Sequence, residues 1–109
     1  MKRRVVVTGL GAITPIGNSI NSFWNSVKEG KNGIEKITCF DTEDFKVKVA
    51  AEVKDFNAEE YLGKKDAKRL DRFIQFALIS AKECIRDSNI DLDSIDRERI
   101  GVIFSSGIG

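Results

Sequence analysis

Apolar residues fall along this chain in two rhythms, short runs and helical stripes, and each predicts a different element. Arg4-Val5-Val6-Val7-Thr8 is a β-branched run ended by Gly9, the pattern of a buried strand. Gly9, Gly11, Pro15 and Gly17 then punctuate a long turn. Ile20, Phe23, Trp24 and Val27 recur at i, i+3, i+4 and i+7, the stripe of an amphipathic helix. Ser19 or Asn21 can cap its start and Gly30 can end it. Residues 31–46 have no period, with Ile34, Ile37, Phe40 and Phe45 as scattered anchors, whereas residues 47–53 alternate enough to predict a strand. Asn57, with Glu60 three residues on, marks the start of a short helix that Gly63 should end.

The strongest periodic signal follows. Leu70, Phe73, Ile74, Ala77, Leu78, Ala81, Cys84 and Ile85 form one apolar stripe, with Ser88-Asn89 as its stop. After an acidic turn over residues 91–96, Ile100-Gly101-Val102-Ile103-Phe104 reads as a second buried strand, left through Ser105-Ser106-Gly107-Ile108-Gly109. The first and last strands are apolar throughout, which suits a sheet covered by helices on both faces, an α/β arrangement. No repeat or linker divides the chain, and a complete domain rarely stops on a loop leaving a core strand. Residues 1–109 are therefore expected to be part of a larger domain.

Composition narrows the function classes. The chain has 41% apolar and 32% charged residues, as soluble globular proteins do, and a net charge of +1 leaves no global field toward nucleic acid or membrane. No apolar run approaches the ~20 residues of a membrane span. The basic start Met1-Lys2-Arg3-Arg4 is followed by too short an apolar run for a signal peptide. Two cysteines make no disulfide framework, so a reduced cytoplasmic setting is expected. There is no histidine, hence no Ser-His or Cys-His pair and no imidazole metal ligand. Catalysis by these residues alone is not expected.

Three features carry candidate chemistry. Gly9-Leu10-Gly11 after a strand invites a dinucleotide-binding reading, but the sixth position of that fingerprint is Thr14, and Pro15 and Gly17 stand where a helix should open. No second strand ending in an acidic residue lies about 20 residues on. A glycine turn bringing backbone close to backbone is the plainer reading. Cys39 and Cys84 lack a sequence neighbour that would activate a thiol, and Cys84 falls on the apolar stripe. Between Lys64 and Arg72, five cations (Lys64, Lys65, Lys68, Arg69, Arg72) face two anions, a local +3. On a single helix over residues 65–85, Lys65, Lys68, Arg69 and Arg72 would share a face opposite the apolar stripe. Such a face is either simply solvated or a docking stripe for an acidic partner. With no interleaved aromatics, nucleic acid is the poorer fit.

The opening from Val5 to Asn18, read Val-Val-Val-Thr-Gly-Leu-Gly-Ala-Ile-Thr-Pro-Ile-Gly-Asn, resembles that of β-ketoacyl-acyl-carrier-protein synthases. The resemblance runs through Phe40-Asp41-Thr42, Val53-Lys54-Asp55-Phe56-Asn57 and Asp71-Arg72-Phe73-Ile74-Gln75 to Ser106-Gly107-Ile108-Gly109. It covers essentially the whole chain, and the combination points to the elongating, type II enzymes. It implies a thiolase-like fold, in which two mixed αβ halves build a layered αβαβα core within a homodimer. These residues would supply the N-terminal portion of the first half. The implied reaction is a decarboxylating Claisen condensation of fatty-acid biosynthesis, using acyl- and malonyl-loaded acyl carrier protein and no redox cofactor or required metal.

The family's nucleophilic cysteine and two histidines lie beyond residue 109, so the resemblance assigns no catalytic residue here. Lys65, Lys68 and Arg69 match basic positions with which the family binds its acidic carrier. Ile108 matches a position lining the acyl pocket near the dimer interface. The competing reading is a non-catalytic partner of a ketosynthase, akin to a chain-length factor. A nicotinamide-binding domain ranks below both.

Overall fold

The computed structural model describes residues 1–108; Gly109, the last residue of the closing motif, lies outside the described residues. The order is α1 (Ile20–Lys28), β1 (Ile34–Lys36), β2 (Val49–Ala51), α2 (Ala58–Arg69), α3 (Arg72–Ser88) and a 3-10 turn at Arg97–Arg99. The chain separates into two units: residues 12–57, and residues 1–11 with those from 58 on.

In the unit formed by residues 12–57, the predicted turn is closed by two backbone bonds, from Thr14 N–H to the Gly17 carbonyl at 2.8 Å and from Gly17 N–H to the Thr14 carbonyl at 3.2 Å. The following helix α1 is capped as expected. Ser19 and Ser22 satisfy each other's backbone N–H groups in a reciprocal box, and Gly30, at φ 67°, turns the chain away after Glu29. Its apolar stripe is only half covered, since Trp24 and Val27 are exposed and the buried position is Ser26. The unpatterned stretch hides a strand. β1 pairs antiparallel with β2 in the register Ile34–Ala51, Glu35–Ala50 and Lys36–Val49. With a single apolar residue in three, β1 owes its conformation to its partner and not to its own propensity. Asn18 fastens the exit of this hairpin, its Nδ2 donating to the Lys54 carbonyl at 2.7 Å. The Lys54 ammonium in turn donates to the carbonyls of Pro15, Gly33 and Glu52 at 3.3, 3.1 and 3.3 Å.

In the second unit, α2 does not end at Gly63 but breaks there, at φ 78° and ψ 163°, and resumes. This backbone region is essentially reserved for glycine. The expected single helix over residues 65–85 is also two. Asp71, extended at φ −64° and ψ 155°, stands as the N-cap of α3 and separates it from α2. Asp favours such flanking positions over helix interiors. The stop at Ser88-Asn89 is as predicted, with Asn89 left-handed at φ 54°.

Two expected strands are absent among the described residues. Residues 4–8 and 100–104 carry no ladder, and their apolar side chains are open to solvent, Val5 at 92% and Ile103 at 95% exposure. A strand exists through hydrogen bonds to a neighbour, and among the described residues β1 and β2 pair only with each other. The apolar pattern is real, but no described partner completes it. Burial follows a different line from the predicted stripe: among apolar residues described, Ile79, 5% exposed, is the buried one, while Phe73, Leu78 and Ile85 face outward.

Candidate functional site

The basic cluster lies mostly on the second half of α2. After the break at Gly63, Lys64, Lys65, Lys68 and Arg69 crowd into less than two turns with Asp66 as the one anion among them. All four cations are exposed. Lys65, Lys68 and Arg69 sit at i, i+3 and i+4, so they share a face. Arg69 pairs with Asp66 at 3.2 Å, a surface contact worth little by itself. Arg72 is separated from this set. It opens α3 and lays its guanidinium 5.1 Å from the centre of the Phe76 ring. Of the four cations expected on one stripe, the fold keeps the three singled out for docking together and assigns the fourth elsewhere.

What holds this turn is a residue that pattern reasoning passed over. Gln75 is 7% exposed, and its side-chain amide donates to the carbonyls of Ala67 at 2.9 Å and Leu70 at 3.0 Å. Carbonyls at a helix C-terminus lack intrahelical donors, and Gln75 supplies them for α2 from the first turns of α3. A neutral amide inside the otherwise apolar run from Phe73 to Ile79 was the available signal.

The outward apolar face of α3 forms one wall of an open cleft of about 630 Å³, with Phe73, Ile74, Ala77 and Ala81 facing Val102 and Phe104. Ile108 is not in its lining; its side chain is 96% exposed, and its carbonyl accepts from the Ser106 hydroxyl at 3.0 Å. Nothing described approaches within 4 Å of where a Gly107 Cβ would stand.

Both cysteines have structural surroundings. The half-buried Cys84 donates its thiol to the Gly9 carbonyl at 3.3 Å. Cys39 is exposed and its neighbour is an anion, Glu52, whereas an activated thiol needs a cation or a helix N-terminus. Glu52 collects donors from two adjacent residues: the Cys39 thiol and the Thr38 hydroxyl, then the Thr38 and Cys39 backbone N–H groups. These bonds hold its pKa at about 2, below the ordinary 4.5. No group of three or more Cys, Asp or Glu among the described residues is arranged to hold a metal ion. Among the described residues no helix is long and apolar enough to cross a membrane.

Comparison with known proteins defines the class first. The ishigamide ketosynthase/chain length factor superposes with a TM-score of 0.76 at 32% identity, covering 87% of this chain and 24% of that one. A type II PKS acyl-carrier protein in complex with its ketosynthase gives a TM-score of 0.63 at 30% identity, over 88% of this chain and 21% of that one. The fold is thus the thiolase-like α/β fold of ketosynthases. A family model described as Beta-ketoacyl synthase, N-terminal domain, matches residues 2–109, and the chain belongs to that family. The 3-oxoacyl-[acyl-carrier-protein] synthase 2 of Staphylococcus aureus (strain COL) is 47% identical over 107 residues, 98% of this chain and 26% of its own length. The protein of the same name from Synechocystis sp. is 47% identical over 108 residues, covering 99% of this chain and 26% of its own. The chain spans about a quarter of the length of these curated relatives.

Proposed function

We propose that this chain is the N-terminal part of an elongating 3-oxoacyl-acyl-carrier-protein synthase of fatty-acid biosynthesis. The observation that carries the reading is 47% identity over nearly the whole chain to proteins of that name. The enzyme transfers an acyl group from its carrier to a cysteine thiol, releasing the carrier thiol. Malonyl-carrier then loses CO₂, and the resulting carbanion attacks the thioester carbonyl and expels the cysteine. The product is a 3-oxoacyl-carrier two carbons longer. The nucleophile and its histidines lie in the part of the protein beyond this chain, so residues 1–109 alone are inactive.

The part played by these residues is recognition. Lys65, Lys68 and Arg69 dock the acidic acyl carrier protein; their shared exposed face on α2 supports that role. Ile108 lines the acyl pocket of the full-length homodimer, a cytoplasmic enzyme. Its exposed side chain is free to meet a wall built by other residues.

Full-length protein supplied with acyl- and malonyl-carrier should release CO₂ and form 3-oxoacyl-carrier. A protein that does neither, yet restores activity when mixed with an active ketosynthase, would be a partner of the chain-length-factor kind instead.

A further inference from the structure

The basic turn of α2 is set off by a break at one end and fastened at the other. At Gly63 the backbone takes φ 78° and ψ 163°, which interrupts the helix before Lys64. At the far end Leu70 N–H donates to the Asp66 carbonyl at 3.0 Å, and the Gln75 amide, nine-tenths buried, grips the carbonyls of Ala67 and Leu70. Gln75 is itself fixed, its N–H donating to the Asp71 carbonyl at 3.0 Å within the first turn of α3. The six residues 64–69 are too few to hold a helical conformation by themselves. The Gln75 side chain ties them to the longer helix and so helps to set their direction.

We propose that Gln75 is a positioning residue for carrier recognition: it touches neither carrier nor acyl chain, but holds Lys65, Lys68 and Arg69 in the one orientation that a carrier helix can meet. The proposal rests on the docking reading above. Where a binding-competent arrangement is fractionally populated, apparent affinity falls by that fraction. Loosening the turn therefore raises KM for carrier-bound substrate and leaves the chemical step alone.

The test is Gln75→Met in the full-length synthase, which keeps the length and volume of the side chain and removes both donors. KM for acyl-carrier should rise about tenfold with kcat and the activity on a small N-acetylcysteamine thioester unchanged. Amide hydrogen exchange should quicken over residues 64–70 and not over the rest of α3. Should Gln75→Met not fold, Gln75→Asn carries the test. Its amide is one methylene short of reaching both carbonyls, and it should give the same split with about a threefold rise. Equal losses on both substrates, or no loss on either, overturn the proposal. Charge reversal of Lys65, Lys68 and Arg69, measured alongside, separates the two claims. If it impairs carrier substrates selectively and the Gln75 variants do not, only the positioning role fails. If it has no selective effect, the docking reading fails and the positioning role falls with it.

Discussion

Gly11 lies so close to the Ser80 carbonyl of α3 that no Cβ fits between them, and one helical turn on Gly9 stands in the same relation to Cys84. The geometry explains the spacing. Two residues of extended chain advance about 6.7 Å, and four residues of helix rise about 6 Å, so glycines two apart meet helix positions four apart in antiparallel sense. The pairing is reinforced by the Leu10 N–H, which donates to the Asp87 carboxylate at 2.8 Å. Because backbone lies on both sides, neither can yield by changing rotamer. Gly9→Ala or Gly11→Ala should each destabilise by ~1–3 kcal/mol. Gly101→Ala, where the added methyl meets open space, should stay within about 1 kcal/mol of the native protein. Denaturant unfolding of the three variants decides it, and equal effects at all three positions would remove the close-packing account.

A second prediction follows from Glu52. Its folded pKa of about 2 lies below the ordinary 4.5, so the folded state favours the carboxylate. The stabilisation is present above pH 4.5 and is lost as pH falls from there toward 2. Glu52→Gln should flatten the loss of stability across that window while leaving the Thr38 and Cys39 corner less stable at neutral pH. Unfolding midpoints measured from pH 6 downward for both proteins provide the check. Parallel curves would mean that the clamp contributes nothing.

How much of this was legible in the sequence differs by element. The existence of α1 and α3, a cap at Ser19, one of the two candidates, and the Asn89 stop are local effects and are observed, although burial on α3 does not follow the predicted stripe. The glycine turn reading holds as well, since Gly9 and Gly11 bring backbone against the backbone of α3 at Cys84 and Ser80. β1 was hidden, since Ile34-Glu35-Lys36 gains its strand only by pairing with β2. Val5 to Val7 and Val102 to Phe104 erred the other way, their pattern promising ladders that no described residue completes. For the site, charge spacing marked the basic cluster and the family resemblance singled out Lys65, Lys68 and Arg69, which the fold places on one exposed face of α2. Arg72 was misassigned because periodicity ran through the Leu70-Asp71 corner, where a capping residue outweighs a continuous stripe. Lys54 acts through bonds to carbonyls distant in sequence, which composition and spacing do not register, while Gln75 reaches back only to the end of α2 and was marked by its apolar neighbours.

Ile108 supplies a third prediction. In the acyl pocket proposed for the full-length enzyme, the added volume of Phe should collide with long chains while leaving Tm unchanged. Overpacking costs ~1–3 kcal/mol, about one to two decades in rate. Ile108→Phe in the full-length enzyme should keep short-acyl condensation and lose medium and long substrates by that margin. A series of kcat/KM values over acyl-chain length, with melting curves beside it, reads the outcome. Uniform loss at every length together with a lowered Tm would make Ile108 a packing residue.

Recognition of an acidic carrier by the α2 turn is what these residues are held to contribute, and one comparison tests it most directly. Lys65→Glu, Lys68→Glu and Arg69→Glu, combined in the full-length synthase, convert an attractive face into a repulsive one while preserving its exposure. The measurement is kcat/KM on acyl-carrier and on a small thioester mimic, at low and high salt. The variant should lose about tenfold or more on the carrier substrate, keep its activity on the mimic, and approach the native enzyme as salt screens the contact. Equal losses on the two substrates, or no loss on either, would contradict the account.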